Sequence, residues 1–177
     1  MNPYKKYIAS FDGFPKKDVI FWDFTPLLEH PTVYKQAIAD IQNHYAGKAI
    51  TKIAAIEAKG FTIGAALSFA MHVPLCLIRK PNLIPRDVLS RTFEKEYGTG
   101  EYALKKDAFN KGDEVLIVYD ILAGPGATKA AIALVEETGA RVAGCAFVIE
   151  LDYLRGREHL GKYDVFSLVH IKEKKIR

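Results

Sequence analysis

The sequence predicts an α/β fold in which a central parallel sheet is flanked by helices. Short, continuously apolar segments alternate along the chain with segments whose apolar residues recur at helical spacing. Strands that are apolar throughout are typical of parallel sheets, because both faces of such strands are covered. Polar residues end several of these segments, and a parallel sheet brings the carboxyl ends of its strands to one edge, where ligands bind.

The periodicity predicts helices over residues 33–45, 60–70 and 126–138, and strands over 53–56, 74–78, 115–118, 142–151 and 165–171. Pro31 precedes the first helix and Gly139 follows the third, in the positions that these residues favour at helix ends. The polar residues expected together at the carboxyl edge of the sheet are Glu57, Arg79, Lys80, Asp120 and Glu150.

Composition narrows the possible classes of function. The chain has 177 residues, 26% of them charged, and a net charge of +4, which favours a single folded domain over residues 1–177 and excludes disorder. No apolar run reaches the roughly 18 residues of a membrane helix, and the first ten residues do not resemble a secretory signal. We therefore expect a cytoplasmic protein with no membrane or nucleic-acid partner, whose modest positive charge suits an anionic small substrate.

No set of residues has the spacing of a protein metal site. Cys76 and Cys145 lie in apolar segments and are expected to be buried, and the five histidines share no spacing typical of metal ligands.

The segment 80–104 departs from the alternating pattern, because it contains two prolines and many charged residues but few apolar ones. Long polar connections in compact domains often form a lid over a functional site. The alternative is a surface excursion or short hairpin that has no part in the chemistry.

A second notable segment is VLIVYDILAGPGATKAA, residues 115–131, in which a strand leads through an acid and a turn of small residues into a helix. The first turn of a helix has free N–H groups that bind phosphate, and glycine allows the backbone to approach an anion closely. The segment matches neither the Walker loop nor the dinucleotide-binding pattern of glycines. A tight connection between strand and helix, with no ligand, is the alternative.

Six segments in order resemble adenine phosphoribosyltransferases, a family of type I phosphoribosyltransferases. Besides the segment just described they are FDGFPKKDVIFWDFTPLL, IEAKGFTIGAAL, IRKPNLIP, EKEYGTGEYALKKDAF and IELDYLRGREHL, and the resemblance extends from about residue 11 to residue 169. The resemblance implies a type I phosphoribosyltransferase fold, with a mobile lid loop at about 80–104 and a small hood from about 1–30 and 150–162. It also implies that the chain transfers ribose 5-phosphate from phosphoribosyl pyrophosphate to adenine, giving AMP and pyrophosphate. Mg²⁺ is expected to bind with the pyrophosphate substrate, and the protein is expected to be a homodimer.

The resemblance also implies roles for individual residues. Glu96 is the expected catalytic acid/base at the purine, and Ile20, Phe21 and Leu154 are the expected base-binding residues, with the rings or side chains of Phe21 and Leu154 on either side of the base. A non-proline cis peptide bond is expected between Glu57 and Ala58. The residues expected to bind phosphoribosyl pyrophosphate are Lys59, Arg79, Lys80, Tyr97, Asp120, Ala123, Gly124, Pro125, Gly126, Ala127 and Thr128.

The chain departs from the family within the phosphate loop itself. The family pattern is Asp-Asp-Leu-Leu-Ala-Thr-Gly-Gly-Thr, whereas here Tyr119 replaces an acid, and Gly124 and Ala127 replace the two threonines. Pro125 removes a backbone N–H from the loop. Other replaced positions are Trp22, Phe24, Lys59 and Leu83, where the family has Arg, Ile, Arg and Lys.

Two hypotheses about function follow from these departures. In the first, the protein is an active adenine phosphoribosyltransferase with a remodelled phosphate loop; a transferase for another base is a separate, further alternative. In the second, turnover is weak or absent, and the protein binds a purine, a nucleotide or a protein partner as a regulator. A loop closed off by Tyr119 or Pro125 would favour the second hypothesis.

Overall fold

The centre of the molecule is a five-stranded parallel sheet, as the sequence predicts. A computed structural model describes residues 2–17, 19–85, 87–94 and 98–174. In spatial order the strands of the sheet are β4 (Leu75–Ile78), β3 (Lys52–Ile56), β7 (Glu114–Leu122), β8 (Arg141–Leu151) and β9 (Val165–Ile171). All four pairings between neighbours are parallel, so the five carboxyl ends meet at one edge.

Helices cover both faces of the sheet. They are α1 (Thr25–Leu28), α2 (Pro31–His44), α3 (Gly60–Met71) and α4 (Gly126–Glu137). Because side chains alternate along a strand, Leu116 and Val118 of β7 enter the core beneath α2 and α3, whereas Val115 and Ile117 enter the core beneath α4. The continuous apolar strands of the sequence are thus explained by burial on both faces.

Two antiparallel hairpins lie outside the sheet. One joins β1 (Ala9–Asp12) to β2 (Ile20–Asp23), within the first part of the predicted hood. Two short 3-10 turns, Asp152–Leu154 and Gly156–Leu160, follow β8 and occupy the second part.

The other hairpin joins β5 (Val88–Glu94) to β6 (Thr99–Lys105), within the predicted lid segment. It rests on α4, where Arg91 forms an ion pair with Glu137. Gly126 passes so close beneath β5 that a Cβ atom there would overlap the carbonyl oxygen of Glu94. The lid segment is therefore an ordered ribbon along its two strands, and its mobility stays a prediction.

Two expectations from the sequence need correction. Strand β7 does not end before Asp120 but continues to Leu122, because Ile121 and Leu122 still pair with β8. Cys145 is buried as expected, but Cys76 is only partly buried, since β4 is the edge strand of the sheet. Among the described residues, no helix combines the length and the apolar character that crossing a membrane requires.

Candidate active site

A cavity of about 1070 Å³ opens at the carboxyl edge of the sheet. Its wall includes the loop from β7 into α4 and residues of the β5–β6 hairpin. The cavity remains open beside both Tyr119 and Pro125, so neither residue closes off the phosphate loop. The predicted site residues that line it are Lys80, Ala123, Gly124, Pro125, Gly126, Ala127, Thr128 and Leu154.

The phosphate loop places the start of α4 at the cavity. Pro125 precedes the helix and Gly126 opens it, so the N–H groups of the first turn have no partner within the helix. Those groups and the positive end of the helix dipole suit a phosphate. Thr128, which the family comparison places one position after a lost threonine, is almost fully buried and also lines the cavity.

A second loop reaches the cavity after β3. The peptide bond between Glu57 and Ala58 is cis, as the resemblance predicts, and both residues line the cavity. The Glu57 carboxylate accepts hydrogen bonds from Arg79 Nε at 3.3 Å and from the Lys80 N–H at 3.1 Å. These contacts bring together three of the polar residues expected at the edge. Glu57 and Lys80 line the cavity, whereas Arg79 does not.

Lys59 connects the sheet to the hood. Its Nζ lies 3.2 Å from Asp120 Oδ2 and 3.6 Å from Asp23 Oδ1, and 4.6 Å from the ring centre of Phe21. Lys59 is thus turned toward the hood hairpin, and it is not among the residues that line the cavity.

Asp120 is buried within β7, with 6% of its surface exposed. Burial raises the pKa of its carboxyl group, and the charge of Lys59 opposes this rise. Oδ2 faces Lys59, whereas Oδ1 is buried and has no hydrogen-bond partner among the residues that the structure describes. Asp120 is not among the residues that line the cavity, so its contact with ribose hydroxyls stays a prediction.

The predicted base-binding residues are distributed around Lys59 and the cavity. Leu154 lies in the cavity wall, Ile20 is buried, and the half-buried ring of Phe21 packs edge-to-face on Phe14 at 5.3 Å. Phe21 is not part of the cavity wall itself, so the arrangement of Phe21 and Leu154 around a base stays a prediction. Glu96 and Tyr97 lie outside the described residues, and their roles stay predictions too.

Glu150 is held in a hydrogen-bond network with Arg157 and Ser167. Among the described residues, it has no contact with the other polar residues expected at the carboxyl edge of the sheet. Its carboxylate accepts hydrogen bonds from Arg157 at 2.8 and 2.5 Å and from Ser167 at 2.6 Å. Burial alone would raise the pKa of Glu150, but the bonds from Arg157 and Ser167 lower it below its ordinary value. Asp152 and His170 complete a cluster of possible metal ligands, yet Arg157 already supplies the positive charge there.

Three aromatic residues of the cavity wall were not predicted from the sequence as site residues. Tyr119 on β7 and Tyr102 on β6 place their hydroxyl oxygens 3.3 Å apart, and the rings of Tyr102 and Phe93 lie 4.6 Å apart. In the sequence, the feature that indicates an aromatic group at this site is Tyr119, which stands where the family has an acid.

Comparison with known proteins places this arrangement in a family. Residues 25–176 match the phosphoribosyl transferase domain. The chain belongs to the phosphoribosyltransferase family.

Solved structures show which phosphoribosyltransferases this chain is similar to. Adenine phosphoribosyltransferase from Thermoanaerobacter pseudethanolicus is 38% identical, with a TM-score of 0.91 over 95% of this chain and 98% of that one. The enzyme from Rhodothermus marinus is 35% identical, with a TM-score of 0.90 over 95% and 96%. The enzyme from Saccharomyces cerevisiae, solved with adenine and an iminoaltritol bisphosphate, is 32% identical, with a TM-score of 0.86 over 93% and 96%.

These comparisons confirm the fold class and the resemblance to adenine phosphoribosyltransferases that the six sequence segments carry. The match covers almost the whole length of these phosphoribosyltransferases as well as of this chain. The altered phosphate loop is therefore a local change within a complete family fold.

Proposed function

We propose that this phosphoribosyltransferase transfers ribose 5-phosphate from phosphoribosyl pyrophosphate to adenine, giving AMP and pyrophosphate. The observation that carries the proposal is one open cavity whose wall joins the loop at the start of α4, the cis peptide at Glu57–Ala58, and Leu154 of the hood. The three similar adenine phosphoribosyltransferases support the choice of base. No specific observation favours the regulator hypothesis.

Each part of phosphoribosyl pyrophosphate has a matching group in this arrangement. The first turn of α4 is suited to the 5-phosphate, and the free oxygen of Asp120 is suited to a ribose hydroxyl. Lys80 is a cation of the cavity wall and is suited to the pyrophosphate, and Arg79 contacts the same Glu57 carboxylate oxygen as the Lys80 N–H. Mg²⁺ enters with the pyrophosphate as part of the substrate and offsets its charge.

In the reaction, a ring nitrogen of adenine attacks the anomeric carbon, and the bond from that carbon to the pyrophosphate oxygen breaks. The electron pair leaves with pyrophosphate, so negative charge grows there while the sugar becomes oxocarbenium-like. Fixed cations stabilise this charge most strongly where water is excluded, which gives the hairpin over α4 a function as a lid. We assign to Glu96 the transfer of the purine proton, which contributes roughly 10²–10⁴-fold to such reactions.

The finer features of the proposal rest on the resemblance. Adenine is expected between Phe21 and Leu154, with Ile20 behind it. The protein is expected to act as a cytoplasmic homodimer, and sedimentation velocity of the purified chain checks the dimer.

The direct test incubates the purified protein with phosphoribosyl pyrophosphate, Mg²⁺ and each of adenine, hypoxanthine, guanine and xanthine. We expect AMP from adenine and little nucleotide from the other three bases. Product from a different base would overturn the assignment of adenine, and no product from any base, with the protein folded, would favour the regulator hypothesis.

A further inference from the structure

Tyr119 points into the cavity at the position where the family has an acid. Successive side chains of a strand alternate, so Asp120 turns toward Lys59 and the hood while Tyr119 turns toward the cavity and the lid hairpin. The site thus keeps one carboxylate in this pair of positions and has a phenol in place of the other.

The Tyr119 hydroxyl has a proton that it can donate to a ligand. Tyr102, on β6 of the lid hairpin, donates a hydrogen bond to the Tyr119 oxygen at 3.3 Å. A phenol hydroxyl can accept one hydrogen bond and donate another, so Tyr119 can accept from Tyr102 and still donate its own proton to a ligand. Burial raises the pKa of Tyr119, and the neighbouring charge of Asp120 adds to this, so the group stays a neutral hydroxyl at physiological pH.

The loop from β7 into α4 offers fewer donors than the family's loop. Pro125 has no backbone N–H, and Ala127 and Gly124 have no hydroxyl where the family has threonines. All three residues line the same cavity as Tyr119. A substrate rich in phosphate oxygens would therefore meet fewer donors from the loop and one additional donor from β7.

We propose that the Tyr119 hydroxyl binds phosphoribosyl pyrophosphate directly, donating a hydrogen bond to one of its phosphate oxygens, and that Tyr102 orients it. This inference rests on the proposed function, because it assumes that the cavity takes this substrate. It makes Tyr119 a substrate-binding residue particular to this chain, which offsets part of what the altered loop has lost.

The test measures binding of phosphoribosyl pyrophosphate with Mg²⁺ by calorimetry, without any base, so that it does not depend on turnover. Tyr119→Phe should raise the Kd roughly 10- to 100-fold, as expected for loss of a hydrogen bond to a charged group. Tyr102→Phe should have a smaller effect, because it leaves the Tyr119 donor in place. Tyr163→Phe is the matched control, since that hydroxyl bonds Glu136 outside the cavity, and it should bind like the wild type.

Thermal unfolding of each variant separates binding from folding. An unchanged Kd for Tyr119→Phe would overturn the proposal, and so would equal losses of thermal stability and affinity, because they would make the hydroxyl pair a structural latch.

The same measurements distinguish this inference from the proposed function. If the wild type binds the substrate in a Tyr119-dependent way but makes no AMP, only the transfer to adenine is overturned. If the wild type makes AMP and Tyr119→Phe binds equally well, only the role of Tyr119 is overturned. A wild type that does not bind phosphoribosyl pyrophosphate would overturn both.

Discussion

At the scale of single residues, Asp120 shows how the site is maintained at a cost to stability. Its carboxyl group is buried, one oxygen has no partner among the described residues, and burial raises its pKa. A raised pKa means that the fold favours the protonated group, so ionisation at neutral pH opposes folding. We infer that the unpartnered oxygen is kept for the substrate and not for stability.

Asp120→Asn should therefore unfold at a higher temperature than the wild type at pH 7, while its affinity for phosphoribosyl pyrophosphate falls. In the wild type, the protonated carboxyl group of Asp120 contributes favourably to stability below the ordinary aspartate pKa of about 3.9. This contribution is lost as the pH rises through the higher pKa that Asp120 has in the folded protein. The difference in unfolding temperature between the two proteins should thus shrink as pH falls toward 4. Unfolding scans from pH 4 to 8 measure it.

Asp107→Asn is the control for this comparison, because that side chain is 72% exposed and lies 3.9 Å from its ion-pair partner, Lys105. Its unfolding temperature should follow that of the wild type across the range. An Asp120→Asn variant that is less stable at pH 7 would show that the attraction of Lys59 exceeds the cost of burying the charge.

At the scale of elements, the contact between the lid hairpin and α4 depends on Gly126. Gly126→Ala should push β5 away, because the new methyl group would overlap the Glu94 carbonyl oxygen, a backbone atom that cannot rotate aside. We expect faster hydrogen exchange in β5 and β6 and weaker binding of phosphoribosyl pyrophosphate. Gly124→Ala is the matched control for exchange, since no atom lies within 4 Å of its added Cβ. Equal protection of the hairpin in both variants would contradict this account of the lid.

The contact between β8 and the 3-10 turn that follows it depends on Arg157. Its guanidinium group donates to both oxygens of the buried Glu150 carboxylate and to the Val165 carbonyl. Arg157→Met should cost about 3 kcal/mol of unfolding free energy, because it leaves a buried carboxylate without its charge partner. The exposed pair of Arg155 with Glu158 provides the control, since Arg155→Met should leave stability near the wild-type value.

The pH dependence of this loss has the opposite sign to that of Asp120. The pKa of Glu150 is lowered in the fold, so its stabilising effect is present above the ordinary glutamate pKa of about 4.3 and is lost as pH falls. Denaturant titrations should show the largest difference between wild type and Arg157→Met at neutral pH and a smaller one in acid. A difference independent of pH would mean that lost packing, and not the buried charge, explains the effect.

At the scale of the whole molecule, the sequence predicts the architecture because the relevant signals are local. Each strand and helix can be recognised from a short stretch of sequence. Examples are the apolar runs around Ile53, Val115 and Val142 and the periodic segments after Gly60 and Gly126. The edge rule for parallel sheets then locates the cavity without further information. The hairpin formed by residues 88–105 is harder to predict, because it packs on α4, which is distant from it in the sequence.

What the sequence does not predict are contacts between distant elements. Strand β7 extends past Asp120 because β8 continues beside it, and Lys59 turns to Asp120 and Asp23 because the hood brings Asp23 there. The pairing of Tyr119 with Tyr102 requires the lid to lie over β7. Residue types indicate the chemistry that a position can perform, but the direction in which each side chain points depends on packing between distant elements.

We propose that this phosphoribosyltransferase, with its altered phosphate loop, still transfers ribose 5-phosphate to adenine. The most direct measurement follows AMP and pyrophosphate together after the protein is mixed with adenine, phosphoribosyl pyrophosphate and Mg²⁺, with Asp120→Ala as the comparison. We predict that the two products appear at equal rates with the wild type and much more slowly with the variant. Folded wild-type protein that releases no AMP, or releases pyrophosphate without forming AMP, would contradict the claim.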